Sequence, residues 1–229
     1  MPKVTVIIPA FNEEKDIAET VKRIKKVSKE YEVLVVDDGS TDQTSSKAKR
    51  AGARVVRHAK NQGKGAGMRT GARRAKGDIL VFIDASQLYP EQIPELVARC
   101  KKGVHVVGKR PYHKMNWQRK LNNMFSIMAF FLATGTVQKD LLSGFRVIKK
   151  SDYKKLNIEH NDFRIEAEMT YGSLKKGIKM VYVPVDADYP PTLTFNCMSW
   201  SHSFQEIAFL GRLVIMSWSN AFNLLKRKR

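Results

Sequence analysis

The stretch YEVLVVDDGSTD, residues 31–42, decides the fold. Its first half, residues 31–36, is a short apolar run rich in Val, the pattern of a strand buried on both faces. Its second half stops that strand abruptly, because Asp37, Asp38, Gly39 and Ser40 are turn formers. Working outward, the same grammar recurs. Upstream, residues 3–8 (KVTVII) read as a strand ending at Pro9. An amphipathic helix over 14–29 follows, with Ile17, Val21, Ile24 and Val27 at spacings of 4, 3 and 3. Downstream come a helix over 42–51, a strand over 53–57, a glycine-rich turn from Asn61 to Gly67 and a helix reaching about Ala75. A strand over 78–83 then ends at Asp84, before a helix over 91–101 and a strand over 104–108. This alternation implies an α/β fold, a mostly parallel central sheet with helices on both faces.

Open sheets of this kind bind ligands just past the carboxyl ends of their strands. Three polar clusters fall there: Pro9–Glu14, Asp37–Asp42 and Asp84–Pro90. Ordinary turn chemistry accounts for any one of them, and less well for all three together. The acids at 37–42 suit neutral donors such as a nucleobase NH and ribose hydroxyls, and would repel phosphate. The loop NQGKGAG, residues 61–67, has the composition of a phosphate-binding loop without the residue order of either familiar nucleotide motif. Lys64, near a helix N-terminus, is placed to contact a nucleotide.

Beyond residue 110 the pattern changes. Residues 116–134 predict a long helix with Leu121, Met124, Phe125, Met128 and Leu132 on one face, expected to pack in the core, with a membrane surface met through Met124, Phe125, Met128, Phe131 and Leu132 as the alternative. Residues 143–149 read as a strand entry, 163–176 as a helix and 178–185 as a strand. Residues 203–225 predict a final, very apolar helix before the terminal KRKR. The expected organisation is one catalytic domain over 1–186 and a C-terminal amphipathic segment over 187–229.

Composition bounds the function. The 229 residues are 43% hydrophobic, enough for a real core. Two cysteines, Cys100 and Cys197, build no disulfide framework, and five scattered histidines show no metal-ligand spacing, so a reducing, cytoplasmic setting fits. Lys and Arg number 41 against 22 acids, a net charge of +19, which points to an anionic partner. No RNA- or DNA-binding motif is present and the aromatics are not interleaved with basic residues, so nucleic acid is not the expected one.

Together, VIIPAFNEE (6–14), the 37–42 cluster, the 61–67 loop, Asp84 and LSGFR (142–146) follow the order and spacing of family 2 inverting glycosyltransferases. Within these the chain, over residues 3–186, resembles dolichyl-phosphate sugar synthases. The resemblance implies a GT-A nucleotide-diphospho-sugar transferase fold and a divalent metal, Mg²⁺ or Mn²⁺. It also implies transfer of a sugar, with inversion, from a UDP- or GDP-linked donor to polyprenyl phosphate. Carried over position by position, Pro9, Phe11, Asn12 and Glu13 would line the nucleotide pocket. Asp38 would hold the base, and Lys64 would support the nucleotide end. Asp84 would be the first acid of the metal-binding D-x-D. Arg146 would face phosphate, with Asp140 just upstream at the catalytic centre, and Glu166 and Glu168 fall in the family's acidic helix start. Arg110 and Arg119 are further candidates for the acceptor phosphate.

Two departures stand out. The D-x-D reads Asp84-Ala85-Ser86, so a neutral hydroxyl replaces the second acid, with Gln87 as a further oxygen ligand. Residues 186–200 contain no Lys or Arg where relatives often carry a basic acceptor segment. The first leaves room for a degenerate protein that binds nucleotide or membrane without turnover. The second leaves room for a hydroxyl acceptor on a glycan or glycolipid, for which Asp140 would have to serve as base. A lipid phosphate, already an anion, needs little such help. Gln205, Arg212, Ser219 and Asn223 fall on one stripe of the last helix, and Trp200, Trp218 and the KRKR end favour the headgroup level of an anionic membrane. The expected location is cytoplasmic and peripheral, on the inner face of the cell membrane.

Overall fold

The computed structural model describes residues 3–86 and 89–187. Of these, residues up to 111 together with 143–187 form one compact unit, and 112–142 belong to a second. Gln87, the helix expected over 203–225, both tryptophans assigned to the membrane and the basic terminus lie outside the described residues.

The first unit holds β1 (Val4–Ala10), β2 (Glu32–Asp37), β3 (Arg54–Arg57), β4 (Ile79–Phe82), β5 (Val104–Lys109), β6 (Arg146–Lys149) and β7 (Lys179–Pro184). They form one sheet in the order β3-β2-β1-β4-β6-β5-β7. All neighbours are parallel except β6, which runs antiparallel to both β4 and β5. The central strands β1, β2 and β4 are buried almost throughout because both of their faces are covered, whereas the edge strands β3 and β7 are only partly buried. On one face Ile7, Leu34, Val36, Leu80, Phe82 and Ile148 pack with Met68 and Ala72 of α3 (Lys64–Arg74), Tyr153 of α6 (Lys150–Tyr153) and Ile165 and Met169 of α7 (Ile165–Lys175). The alternate residues Val6, Ile8, Val33, Val35 and Val81 are equally buried. The helices α1 (Ile17–Val27) and α4 (Ile93–Arg99) bury Ile17, Val21, Ile24, Ile93 and Leu96, and α2 (Thr44–Arg50) packs on α1.

Two features of this topology create the site. Chain order reverses between β2-β1 and β1-β4, so the loops after β1 and β4 diverge at a switch point. The reversal of β6 then sets its first residue, Arg146, opposite Phe82 at the end of β4. The SGF run before Arg146 is thereby delivered to the same carboxyl edge as Asp84.

The second unit contains α5 (Trp117–Thr134), capped by the Asn116 side chain, which accepts from Arg119 N at 2.9 Å, and closed by Gly135 at φ 68°. Core packing, the first of the two expectations for its apolar face, is not what the structure shows for most of that face. Leu121, Met124, Phe125, Met128, Phe131 and Leu132 are 40–54% exposed and Trp117 is 67% exposed. The buried face holds Asn123, Ser126, Phe130 and Ala133, so most of the large apolar side chains of the helix lie on its exposed side.

Candidate active site

The acids of β2 are spent on the loops around them. Asp37 is fully buried, accepts from Ser40 N at 2.9 Å and is held by Ser45 Oγ. Asp38 accepts from Gln62 N at 3.0 Å, Gly63 N at 2.7 Å and the His58 ring at 2.6 Å, while the other His58 nitrogen meets Thr70 Oγ1 at 3.0 Å. Asp38 therefore shapes the entry to α3, and its carboxylate is turned into the loop rather than outward. The β1 loop is latched to the same segment. Asn12, at φ 54°, accepts from Thr41 N at 2.9 Å, and its own N–H donates to Ser40 Oγ at 3.0 Å. Glu13 N donates to Thr44 Oγ1 at 2.8 Å. Phe11 is left 44% exposed on this rim, and Pro9 packs against Gly67.

The glycines of the 61–67 loop serve close packing. A Cβ on Gly65 would fall 2.8 Å from the Asn161 carbonyl carbon. The Ala66 N–H donates to Asn161 O at 3.1 Å, so this helix start is already covered by chain. Glu168 holds the covering segment by accepting from Glu159 N at 2.9 Å and His160 N at 3.1 Å.

What converges at the carboxyl edge is a charged group around Lys64. Its Nζ lies 2.7 Å from Asp84 Oδ1 and 2.7 Å from Glu166 Oε1. The side chains of Lys64 and Glu166 are 16% and 4% exposed, whereas that of Asp84 is 40% exposed. Burial works against the Lys64 charge, but the two carboxylates outweigh it and hold its pKa above the ordinary lysine value. Glu13 feels the same cluster. Its pKa rises from 4.5 to about 7, first through burial and then through Asp16, Asp84 and Asp42, against the pull of Lys64. Behind Asp84, Gly144 presses on the carboxylate so closely that a Cβ there would sit 2.9 Å from Cγ. Thr20 Oγ1 of α1 donates to Ala85 O at 2.6 Å and fixes the loop from the other side. Gly144 enters the sequence reading only within the LSGFR run, and Glu166 only as part of the family's acidic helix start; neither is assigned a contact there. Two glutamates at the start of a helix of which eight of eleven residues are buried, the glutamates included, are the signal for Glu166.

Arg146 departs from its expected role. It is fully buried, with Nε donating to Ser143 O at 2.7 Å and Nη1 to Thr170 Oγ1 at 2.9 Å. Its guanidinium thus braces β6 against α7 and does not face a phosphate directly. Burial, then the Arg146 charge, holds His105 well below its ordinary pKa and therefore neutral. Arg110 is half-buried three residues past Val107, which pairs with Arg146, and Ser86 is half-buried beside Asp84. Asp140, which is buried, and Arg119, half-buried, belong to the second unit.

The family description Glycosyl transferase family 2 matches residues 5–164, which takes in Glu13, Lys64, Asp84, Gly144 and the latched β1 and β2 loops. The chain belongs to glycosyl transferase family 2. This family 2 chain is 30% identical over 200 residues to an uncharacterised protein of Methanocaldococcus jannaschii, covering 82% of both. It is 33% identical over 197 residues to the dolichol-phosphate mannosyltransferase of Pyrococcus furiosus, covering 80% of this chain and 55% of that one. It is also 33% identical over 150 residues to the undecaprenyl-phosphate 4-deoxy-4-formamido-L-arabinose transferase of Proteus mirabilis, covering 60% and 46%. The chain thus spans about half the length of these two enzymes. Among solved structures, glucosyl-3-phosphoglycerate synthase of Mycobacterium tuberculosis, in complex with Mn²⁺, UDP-glucose and phosphoglyceric acid, superposes with a TM-score of 0.76. The match covers 93% of this chain and 80% of that one at 23% identity, which establishes the GT-A fold.

The donor set for a metal is thin in this family 2 transferase. No group of three or more His, Cys, Asp or Glu among the described residues could hold an ion. Asp84 and the Ser86 hydroxyl supply oxygens, and Mg²⁺ is commonly held by one or two carboxylates together with substrate phosphates. These residues fit a divalent cation in that shared form only.

Proposed function

We propose that this family 2 transferase moves a sugar from a nucleotide-diphospho-sugar to polyprenyl phosphate at a membrane surface, with inversion. The observation that carries the proposal is the Lys64–Asp84–Glu166 cluster at the switch point of a chain 33% identical, over 80% of its length, to a dolichol-phosphate mannosyltransferase. Phe11, Asn12 and Glu13 on the β1 rim and Lys64 at the foot of α3 form the donor side. Lys64 offers positive charge to the leaving diphosphate, which is the main electrostatic need of this reaction. Asp84 and Ser86 would hold a divalent cation jointly with the donor, and the ion would add charge neutralisation on the same leaving group. The acceptor phosphate attacks as an anion, so no strong base is required. Arg110, at the β5 end of the same edge, is the arginine best placed to meet the acceptor, while Arg146 supports that edge from beneath.

The acceptor lives in a bilayer, and α5 gives the chain a means to reach one. Among the described residues no helix is long and apolar enough to cross a membrane. The exposed α5 stripe, from Trp117 to Leu132, suits insertion at headgroup depth, and a net charge of +19 favours an anionic surface. The chain thus works as a peripheral protein on the cytoplasmic leaflet.

The test is incubation of the full chain with labelled UDP- and GDP-sugars, dolichyl phosphate and Mg²⁺ or Mn²⁺. A chloroform-soluble, mild-acid-labile sugar is the expected product. No lipid-linked product with any common donor, alongside transfer to a glycan hydroxyl, would replace this reading with the hydroxyl-acceptor one.

A further inference from the structure

Asp84 is the only carboxylate left in its motif, yet one of its oxygens is already engaged. Lys64 Nζ lies 2.7 Å from Asp84 Oδ1, and the other oxygen is backed by Gly144, where not even a Cβ fits. A divalent cation approaching Asp84 therefore meets a carboxylate whose charge is partly offset by an ammonium shared with Glu166 and whose Oδ1 is already engaged. Glu166 explains why Lys64 stays there. This nearly buried carboxylate on α7 takes the same ammonium at 2.7 Å, so Lys64 is anchored from beneath even when it releases Asp84. The Phe163 ring, 5.7 Å from Nζ, adds a further cation-binding face. A lysine suits this role because its ammonium is a compact point charge with three donors on a flexible stem.

We infer that Lys64 is a resident counter-cation that competes with a divalent metal for Asp84, so that metal binding to the protein alone is opposed until Lys64 is drawn off. Resting on the donor-site reading above, this gives the exchange a direction. A diphosphate entering beside Lys64 attracts the ammonium, uncovers Asp84 and brings phosphate oxygens for the ion. Lys64 keeps Glu166 throughout, and no buried charge is left alone.

The experiment measures Mn²⁺ binding to the full chain by electron paramagnetic resonance of the free ion, without nucleotide. Lys64→Met is expected to bind Mn²⁺ at least about ten-fold more tightly than the unaltered chain, because the competing ammonium is gone from Asp84. Adding Asp84→Asn to Lys64→Met is expected to abolish the gain. Because Lys64→Met leaves Glu166 without its ammonium, the double variant Lys64→Met/Glu166→Gln removes that charge as well and is expected to show the same gain. Mn²⁺ affinity unchanged or weakened in both Lys64 variants overturns the inference, as does a gain that survives Asp84→Asn. Isothermal titration of the unaltered chain with UDP and GDP is read separately. Failure of both to bind overturns the donor reading, while a Mn²⁺ gain in the Lys64 variants upholds the competition at Asp84.

Discussion

Gly144 has no side chain because Asp84 leaves no room for one. Substituting Gly144→Ala drives a methyl into the Asp84 carboxylate, and the carboxylate is the part free to move. The expected result is a fall of about ten-fold or more in kcat/KM for the donor, with a stability loss of about 1–3 kcal/mol typical of overpacking. Steady-state kinetics and urea unfolding separate the two. Glu13 offers a second test. Its folded pKa of about 7 stands above its ordinary 4.5, so the folded chain binds the proton more tightly than the unfolded one. Stability should be greatest below about pH 4.5 as far as this group is concerned, fall as pH rises toward 7, and level off above. Glu13→Gln should remove that slope. Thermal midpoints from about pH 5 to about pH 8 for both chains check it, and equal slopes would refute it.

At the scale of the element, α5 is the informative one. A helix that buries Asn123 and Ser126 while exposing Leu121, Phe125 and Met128 gains nothing from water. Replacing Trp117, Phe125 and Met128 together by Ser should abolish co-sedimentation with anionic vesicles. Because those side chains are already solvated in the free chain, the thermal midpoint should hardly move. Retained vesicle binding in the triple variant would assign membrane contact to another surface. The period of 3.6 in this helix was legible from the sequence. Which of water, core or lipid meets the stripe was not, since an apolar face reads the same against all three. Strand β6 teaches a related lesson. Its residues announce a strand, but its antiparallel direction, which brings Gly144 to Asp84, is a matter of pairing with β4 and β5.

At the scale of the whole molecule, the strands and helices predicted over 3–185 are found within a few residues of their expected bounds, and α6 is a short addition. That success has a plain cause: hydrophobic period and turn chemistry are local properties, and a parallel sheet covered on both faces writes them clearly. The amino-acid sequence by itself therefore determined the βαβ alternation, the strand ends where chemistry gathers and the family to which the chain belongs. The tertiary structure alone decided how the charged residues divide. Asp38 and Arg146, both prominent in the linear reading, turn inward to hold loops and strands together. Lys64, Asp84 and Glu166, separated by up to 102 positions, meet at one ammonium. The reason is that a charge's role depends on which opposite charge lies within a few ångströms and how much water is shut out, and neither quantity is local along the chain.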